Sequence, residues 1–217
     1  LYTLAVDTLI ALQNARGITN VDVPSYDLAF LLQEIGILAE WYAPETGRAL
    51  SDVEKAEHDR LWSIALGPIA ERRDALVIRD FHVDNLMLLS DRTGIAACGL
   101  LDFQGGLIGA ATYDLASLLQ DARRDVPFDL ETKMLDRYIA ARAPRDRDAF
   151  LAEYNLIAAQ RHAKVAGIFH RLNARDGKPG YLRHLPRVLS LLQRALVASG
   201  QTDILDFYDD VIPQWRN

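Results

Sequence analysis

The apolar residues of this chain recur mostly at helical spacing. In the opening segment, LYTLAVDTLIALQNARG, they return every three or four positions, and Gly17 follows as a stop signal. The same spacing predicts seven further helices, and Ser51 and Glu54 have the separation of a capping box at the start of one of them. The predicted helices cover residues 1–16, 26–42, 51–72, 113–121, 130–142, 147–173, 182–199 and 204–215.

The spacing of the apolar residues changes between the third and fourth of these predicted helices. Three short apolar runs, 76–78, 86–89 and 98–103, have the length of strands, and the turn-like segment SDRTG joins the last two. We expect them to form a small hairpin inside a chain that is otherwise helical. The predicted fold class is therefore mainly α with a small β hairpin region (α+β), as a single domain over residues 1–217.

Composition narrows the class of protein. A chain of 217 residues that is 50% hydrophobic can bury a core, but no apolar run approaches the roughly 20 residues needed to cross a bilayer. The single cysteine, Cys98, excludes an internal disulfide framework and a multi-cysteine zinc site. A net charge of −6 argues against a nucleic-acid binder. We expect a cytoplasmic protein with no membrane or nucleic-acid partner.

A polar cluster lies between the apolar runs LVI and LMLL. The stretch RDFHVDN holds five polar groups in seven positions, namely Arg79, Asp80, His82, Asp84 and Asn85. Burying charges without partners costs several kcal/mol. The segment is therefore either an ordinary turn, in which Asp and Asn are common, or a functional site.

A second acidic residue ends a strand nearby. Asp102 closes the run GLLDF, 22 residues after Asp80. If the strands pair as a hairpin, Asp80, Asn85 and Asp102 converge on one cavity. Two carboxylates and an amide oxygen form a set of hard oxygen ligands, which suits Mg²⁺ bound together with substrate phosphates.

Three ordered motifs resemble the kinases of the protein-kinase-like superfamily. Asp80 and Asn85 are five positions apart and Asp102-Phe103 follows, as in a kinase catalytic loop and its metal-binding strand end. His82 and the later stretch YDLA resemble the aminoglycoside phosphotransferase and choline kinase branch. RDFHVDNLM, GLLDFQGGLIGAATYDLASLLQDARRDV and GIFHRLNARDGKPGYLRHLPR resemble the cell-wall amino-sugar kinases of that branch. Those enzymes phosphorylate the anomeric hydroxyl of N-acetylmuramate and N-acetylglucosamine.

This resemblance implies a phosphotransferase that uses ATP and Mg²⁺ and acts on a small sugar. By the resemblance, Asp80 is the catalytic base and orients the acceptor hydroxyl, while Asn85 and Asp102 hold Mg²⁺ against the nucleotide phosphates. His82 and Asp114 are expected to support the catalytic loop.

Two positions depart from the pattern of that family. Ile78 stands where relatives have a His that braces the loop, and Gly105 stands where they often have a second acid near the metal. Asp84, beside Asn85, is interpreted as a turn residue.

The glycine-rich lid and the strand lysine that such kinases place on the nucleotide phosphates are both missing from the sequence. None of its four lysines follows a Val-Ala-x pattern. We therefore expect this chain to be the C-terminal large lobe of a protein-kinase-like fold, with the N-terminal lobe upstream of Leu1.

The resemblance puts the sugar site between the catalytic loop and the later helices. Charged residues in these segments are candidates for substrate binding, and the basic ones could meet a lactyl carboxylate. For each of them a solvated or salt-bridged helix face is the alternative. The candidates are Asp121, Arg123, Arg124, Arg161 and Lys164.

Two other functions stay open. An aminoglycoside phosphotransferase would favour an acidic pocket for its polycationic substrate, and the basic residues Arg123, Arg124 and Arg161 argue against it. A pseudokinase-like binding module would account for Ile78 and Gly105, but a module of that kind has no need of the metal-site residues.

Overall fold

The chain folds mainly into helices, with two small antiparallel sheets. A computed structural model describes residues 1–212 and 215–216, and this part of the chain contains nine α-helices and four short strands. The predicted α+β fold class is confirmed. Among the residues so described, no helix has both the length and the apolar character needed to cross a bilayer.

A helical stretch comes first along the chain, then a β region, then helices again. The helices are α1 (Tyr2–Gln13), α2 (Leu28–Ile37), α3 (Ala43–Glu45), α4 (Asp52–Ala70), α5 (Thr112–Leu119), α6 (Phe128–Arg142), α7 (Arg147–Ala174), α8 (Leu185–Ala198) and α9 (Thr202–Val211). The strands are β1 (Ala75–Val77), β2 (Leu86–Leu88), β3 (Cys98–Leu100) and β4 (Leu107–Gly109).

Contacts divide the chain into two compact units. The first unit consists of Leu1–Tyr26 and Glu71–Tyr154, and the second of Asp27–Ala70 and Asn155–Asn217. All four strands lie in the first unit, together with α1, α5 and α6. The second unit contains α2, α3, α4, α8 and α9, and α7 contributes residues to both.

Each predicted helix is present, with differences at the ends. Helix α2 begins after Asp27, whose carboxylate accepts a hydrogen bond from the Phe30 N–H at 2.9 Å, and it passes into a π turn at Leu38–Tyr42. Helix α8 begins at Leu185, because the preceding residues Pro179–His184 form a 3₁₀ helix. The helix predicted for 204–215 ends at Val211; residues 213 and 214 of that prediction lie outside the described residues.

The predicted hairpin is formed by β2 and β3, which pair Leu86 with Leu100 and Leu88 with Cys98. The run predicted at 76–78 does not join it. Strand β1 instead pairs with β4, which the sequence reasoning missed because the Gly-rich segment QGGLIG has little apolar content. Gly109 is required there, since a Cβ at that position would lie 2.9 Å from the Cβ of Tyr26.

The core of the first unit surrounds α5, all of whose residues are buried. Val6 and Leu9 of α1 and Tyr138 of α6 are also buried in this unit. A helix that is buried on every side forms a fixed platform. Because α5 also carries Asp114, this platform positions the polar loop between β1 and β2.

The second unit depends on a close approach between α7 and the end of α2. A Cβ at Gly167 would lie 2.3 Å from the carbonyl oxygen of Ile37, so only glycine fits. Helix α4 starts with the predicted capping box, in which the Glu54 N–H donates to Ser51 Oγ at 3.3 Å and the Ser51 N–H donates to Glu54 Oε2 at 2.8 Å. Trp62 donates to the Tyr208 hydroxyl in the interior of this unit.

Candidate active site

The loop from Arg79 to Asn85 connects β1 to β2 and is held by the side chain of Asp114. The two oxygens of this buried carboxylate accept the N–H groups of Ile78 at 2.7 Å and Arg79 at 2.9 Å. The Ser117 hydroxyl, one turn later on α5, donates to the Arg79 carbonyl at 3.4 Å. Arg79 has a φ of 74°, a left-handed conformation that costs a non-glycine residue about 1–2 kcal/mol. The surrounding bonds hold the loop in this shape.

Hydrogen bonds link Asp80, Asn85 and the segment that carries Asp102. The Asn85 amide nitrogen donates to the Asp80 carbonyl at 3.1 Å, which leaves its side-chain oxygen available to a ligand. The Asn85 carbonyl accepts the N–H of Leu101 at 2.9 Å, and Asp102 follows directly. The side chains of Asp80 and Asp102 lie in exposed residues, whereas Asn85 is half-buried. The arrangement offers acidic and amide oxygens to solvent at one end of the hairpin.

Asp102 has an unusual backbone. Its φ is 55°, and one of its carboxylate oxygens accepts a hydrogen bond from the Gln104 side chain at 2.5 Å. Strained non-glycine residues of this kind cluster at functional sites. Gln104 was not among the residues predicted from the sequence, and only its position two residues after Asp102 could have pointed to it.

His82 is buried and contacts a residue that follows α5. Its Nε2 lies 3.1 Å from Nη1 of Arg123. Because a guanidinium can only donate, Nε2 accepts and the ring proton lies on Nδ1. Asp121, which is only 2% exposed, accepts the Arg123 N–H at 2.7 Å. The contact between His82 and Arg123 ties the loop to the segment after α5.

Asp84 forms an ion pair with Arg124. The two side chains are 3.0 Å apart, and the hydrogen bond from Arg124 lowers the pKa of the Asp84 carboxyl. Asp84 lies in the 3₁₀ turn Val83–Asn85, as its interpretation as a turn residue requires, and the ion pair is an additional role. Three of the predicted sugar-binding candidates, Asp121, Arg123 and Arg124, thus lie beside this loop.

The other two candidates belong to α7 in the second unit. Lys164 is buried and its ammonium lies 2.9 Å from a carboxylate oxygen of Glu34. The Gln160 side chain donates to the other oxygen of Glu34 at 3.1 Å. Arg161 is 5% exposed, and its Nη1 atom has no hydrogen-bond partner among residues 1–212 and 215–216.

The structure shows what surrounds Ile78 and Gly105, the two positions that depart from the family pattern. Ile78 is 4% exposed and its side chain is part of the core, while its N–H reaches Asp114. The loop is therefore braced through the backbone at this position. A Cβ at Gly105 would lie at an ordinary contact distance of 3.6 Å from Nη1 of Arg79, so a side chain is sterically possible there.

The oxygen ligands at this site suit a hard divalent cation bound with phosphate. Across the described ranges, no three His, Cys, Asp or Glu side chains cluster as a protein-only metal site. Asp80, Asn85 and Asp102 supply two carboxylates and one amide oxygen. A small donor set of this kind suits a divalent cation that is also bound by substrate phosphates.

An apolar pocket adjoins this loop in the first unit. Its lining includes Tyr2 of α1, Val83 of the loop, Met87 of β2 and Cys98 of β3. Met87 is 48% exposed, which is high for a large apolar side chain. The pocket presents an apolar surface next to the oxygen ligands.

Comparison with known families assigns this fold. The model of the phosphotransferase enzyme family (APH) matches residues 1–154. The chain belongs to this family. The match includes the loop with Asp80 and Asn85, Asp102 and the Asp114 brace, so the recognition of the family from sequence motifs is confirmed.

Several curated relatives carry one name, N-acetylmuramate/N-acetylglucosamine kinase. The protein of Caulobacter vibrioides is 34% identical over 98% of this chain and 61% of its own length. The relative from Neisseria meningitidis serogroup B is 37% identical over 88% of this chain and 57% of its own length. The one from Pseudomonas putida is 33% identical, over 90% and 58%. The chain thus spans about three fifths of the length of these relatives.

Proposed function

We propose that the protein containing this chain is an ATP-dependent kinase that phosphorylates the anomeric hydroxyl of an N-acetylated amino sugar, N-acetylmuramate or N-acetylglucosamine. The observation that carries the proposal is the loop in which Asp80, Asn85 and the Asp102 segment are hydrogen-bonded together and braced by Asp114. The names of the relatives support this acceptor class. The partners are a nucleotide and a small sugar.

Asp80 is the residue that faces the acceptor. In phosphoryl transfer the sugar oxygen forms a bond to the γ-phosphorus while the bond from that phosphorus to the β–γ bridging oxygen breaks. Asp80 orients the hydroxyl and receives its proton as the new bond forms. Its exposed carboxylate, on a loop of fixed backbone, suits this role.

Asn85 and Asp102 are the residues that would hold a divalent cation, proposed to be Mg²⁺. When bound, the cation neutralises charge on the nucleotide phosphates. Asn85 is already oriented by its bond to the Asp80 carbonyl, and Asp102 by Gln104. The protein therefore presents both ligands in a fixed direction before any nucleotide arrives.

The loop is supported by five residues, namely His82, Asp114, Asp121, Arg123 and Arg124. Asp114 holds its beginning, and Arg123 and Arg124 hold its later part through His82 and Asp84. We assign Asp121, Arg123 and Arg124 to positioning, which narrows their earlier interpretation as sugar ligands. The apolar pocket beside Val83 and Met87 suits the base of the nucleotide.

The chain contributes one side of the reaction centre. Its sequence lacks the glycine-rich lid motif and the strand lysine that kinases place on the nucleotide phosphates, so we propose that it is the large lobe of a two-lobed kinase and that the lid comes from other residues of the protein. Turnover therefore requires the full-length protein, and the 217 residues alone are expected to transfer no phosphate.

The test compares acceptors with the full-length protein, ATP and Mg²⁺. The acceptors are N-acetylmuramate, N-acetylglucosamine, unacetylated glucosamine and an aminoglycoside, with ADP release and the ³¹P spectrum of the product as readouts. We expect phosphorylation of the N-acetylated sugars at the anomeric position. Turnover of the aminoglycoside alone would favour the antibiotic-modifying alternative, and nucleotide binding without any turnover would favour a pseudokinase-like module.

A further inference from the structure

Arg124, in the segment after α5, uses only one edge of its guanidinium on the loop. Its Nε and Nη2 atoms lie 3.3 Å and 3.0 Å from a single oxygen of Asp84, Oδ1. A guanidinium carries five N–H donors, and no acceptor in the described part of the chain meets the other edge, formed by Nη1 and Nη2. The side chain of Arg124 is 59% exposed. The open edge is therefore accessible to a ligand.

An open guanidinium edge is common on protein surfaces, and its position is what distinguishes Arg124. Arg137 of α6 also pairs through Nε and Nη2, and it forms two parallel hydrogen bonds of 2.6 Å and 2.7 Å with Asp7 of α1. That pair connects two helices. Asp84, in contrast, belongs to the loop itself and lies in the same 3₁₀ turn as Asn85.

Asp84 brings Arg124 to the loop that carries Asp80. The loop is compact, because the His82 N–H donates to the Asp80 carbonyl at 3.0 Å and the Asn85 N–H donates to the His82 carbonyl at 2.9 Å. Four residues span at most about 14 Å when fully extended, and these turns make the distance from Asp80 to Asp84 shorter. Asp80, Asp84 and Arg124 are all exposed. A small acceptor that reaches Asp80 is therefore close to Arg124.

The charges around Arg124 are balanced. The hydrogen bond from Arg124 is the main cause that lowers the pKa of the Asp84 carboxyl, and His82 and Arg123 lower it further. The pKa of Arg124 is raised, first by its hydrogen bond to Asp84 and also by the charge of Asp121. Two guanidinium groups thus face two carboxylates. An anion would be held here by directed N–H donors and not by an excess of positive charge.

We propose that the open edge of Arg124 binds the carboxylate of an acidic N-acetylated sugar and so distinguishes N-acetylmuramate from N-acetylglucosamine. This proposal rests on the proposed function, and it adds a ligand to the positioning role of Arg124. N-acetylmuramate carries a lactyl carboxylate that N-acetylglucosamine lacks, and the rest of the sugar is the same. Two N–H groups on one edge of a guanidinium match the two oxygens of a carboxylate.

The nucleotide phosphates are the other source of an anion near this loop. Tyr2 lines the apolar pocket, and burial, then the charge of Asp121, raises the pKa of its hydroxyl while Arg124 opposes the rise. The guanidinium is thus near that pocket as well. A triphosphate, however, needs an excess of positive charge, which the pair of Arg124 with Asp84 does not supply. A single carboxylate needs only directed donors, so we assign Arg124 to the acceptor.

The experiment measures kcat/KM for both sugars with the full-length protein. The readout is the ratio of the value for N-acetylmuramate to that for N-acetylglucosamine, because a disturbed loop lowers both values and leaves the ratio unchanged. Arg124→Met is expected to lower the ratio roughly 10- to 100-fold, the range for loss of a hydrogen bond to a charged group. Arg124→Lys should recover part of the loss, since an ammonium keeps the charge but cannot form two parallel bonds.

Two control variants separate this contact from other effects. Asp84→Asn removes the carboxylate that orients Arg124 and keeps the guanidinium, so the ratio should fall far less than in Arg124→Met, even if both values of kcat/KM fall. Arg137→Met removes an exposed, ion-paired guanidinium that has the same open edge but lies on α6. It should leave the ratio unchanged.

Three outcomes would overturn the proposal. An unchanged ratio in Arg124→Met would leave Arg124 with loop support alone. A raised KM for ATP with both sugars would make its ligand a phosphate, and an equal fall of the ratio in Asp84→Asn would assign the discrimination to the shape of the loop.

A binding measurement separates this proposal from the proposed function. If the unmodified protein phosphorylates neither sugar, the proposed function fails, and the rise in Tm caused by each sugar without ATP decides the site. A rise that N-acetylmuramate alone causes and that is lost in Arg124→Met would support the carboxylate contact. Any other pattern would refute it.

Discussion

Two polar clusters in this molecule have opposite environments. The loop in the first unit keeps the carboxylates of Asp80 and Asp102 exposed and fixes its own backbone through Asp114. In the second unit Glu34 and Lys164 are buried and neutralise each other. Buried polar groups that satisfy one another contribute to one specific packing, whereas exposed ones held by a fixed backbone are available to a ligand. The difference separates polar residues that stabilise the fold from polar residues that a ligand can reach.

The largest effect is expected when an exposed carboxylate of the first unit, Asp80 or Asp102, loses its charge. In the full-length protein, Asp80→Asn should lower kcat by on the order of 10²- to 10⁴-fold, the contribution of a general base, with little change in nucleotide affinity. Asp102→Asn should instead weaken Mg²⁺-dependent nucleotide binding, because it removes a charged ligand. Kinetics and nucleotide titration separate the two effects. Equal losses of nucleotide affinity in both variants would contradict these roles.

Substitutions in the buried cluster of the second unit should change the free energy of unfolding instead of the kinetics. Lys164→Met leaves Glu34 buried without its counter-charge and should lower the free energy of unfolding by about 3–5 kcal/mol. Arg161→Met removes a guanidinium whose Nη1 atom has no partner among the described residues, so it should cost less than about 1 kcal/mol. All three tryptophans of the sequence, Trp41, Trp62 and Trp215, belong to the second unit, so their fluorescence in urea follows its unfolding. Similar losses in the two variants would show that Arg161 is structural.

Packing in the second unit provides a smaller effect. Gly167→Ala should lower the free energy of unfolding by about 3 kcal/mol, because its methyl group would overlap the Ile37 carbonyl and force α2 and α7 apart. The control is Gly36→Ala, where an added Cβ meets nothing within 4 Å and helix propensity should improve. Tryptophan fluorescence measures both. A neutral Gly167→Ala would mean that the two helices can separate without loss.

A substitution at the end of α6 in the first unit should stabilise the protein. Ala143 has a φ of 44°, so Ala143→Gly should raise the free energy of unfolding by about 0.5–1 kcal/mol by relieving left-handed strain. The same substitution at Ala141, inside the helix, should lower it by about 1 kcal/mol. Thermal unfolding followed by circular dichroism measures both variants. A loss at both positions would exclude strain at Ala143.

The smallest effect concerns pH. Hydrogen bonds from Ser51, then Arg48, lower the pKa of Glu54 from 4.5 to about 2. The folded pKa is depressed, so the stability that Glu54 contributes is present above pH 4.5 and is lost as the pH falls through about 2. Glu54→Gln should flatten the pH dependence of the free energy of unfolding between these values. Ser51→Ala should move the loss of stability to a higher pH. An unchanged profile in Glu54→Gln would assign the acid sensitivity to other groups.

Sequence patterns predicted the helices well, because long amphipathic repeats are local signals. The family was recognised from the Asp80–Asn85 spacing and the later motifs, which are local signals too. Strand β4 was missed, since a three-residue strand in a glycine-rich segment has no periodicity to detect. The partners of Arg123 and Lys164 could not be predicted either. Both side chains lie in charged or helical stretches whose spacing fits a ligand site and an internal pair equally well, and only the fold decides which acid or imidazole they meet.

The brace of the loop from Arg79 to Asn85 has a consequence for the order in which this chain folds. The groups that fix the loop come from 35 to 41 residues later in the sequence, at Asp114 and in the segment after α5. Contacts of this separation form only after an intervening loop has closed. During synthesis the chain emerges from its N-terminal end, so the loop with Asp80 is made well before its support. The loop is then among the later parts of the first unit to become ordered, and a chain interrupted between β4 and α5 would keep every residue of the loop and lose its shape.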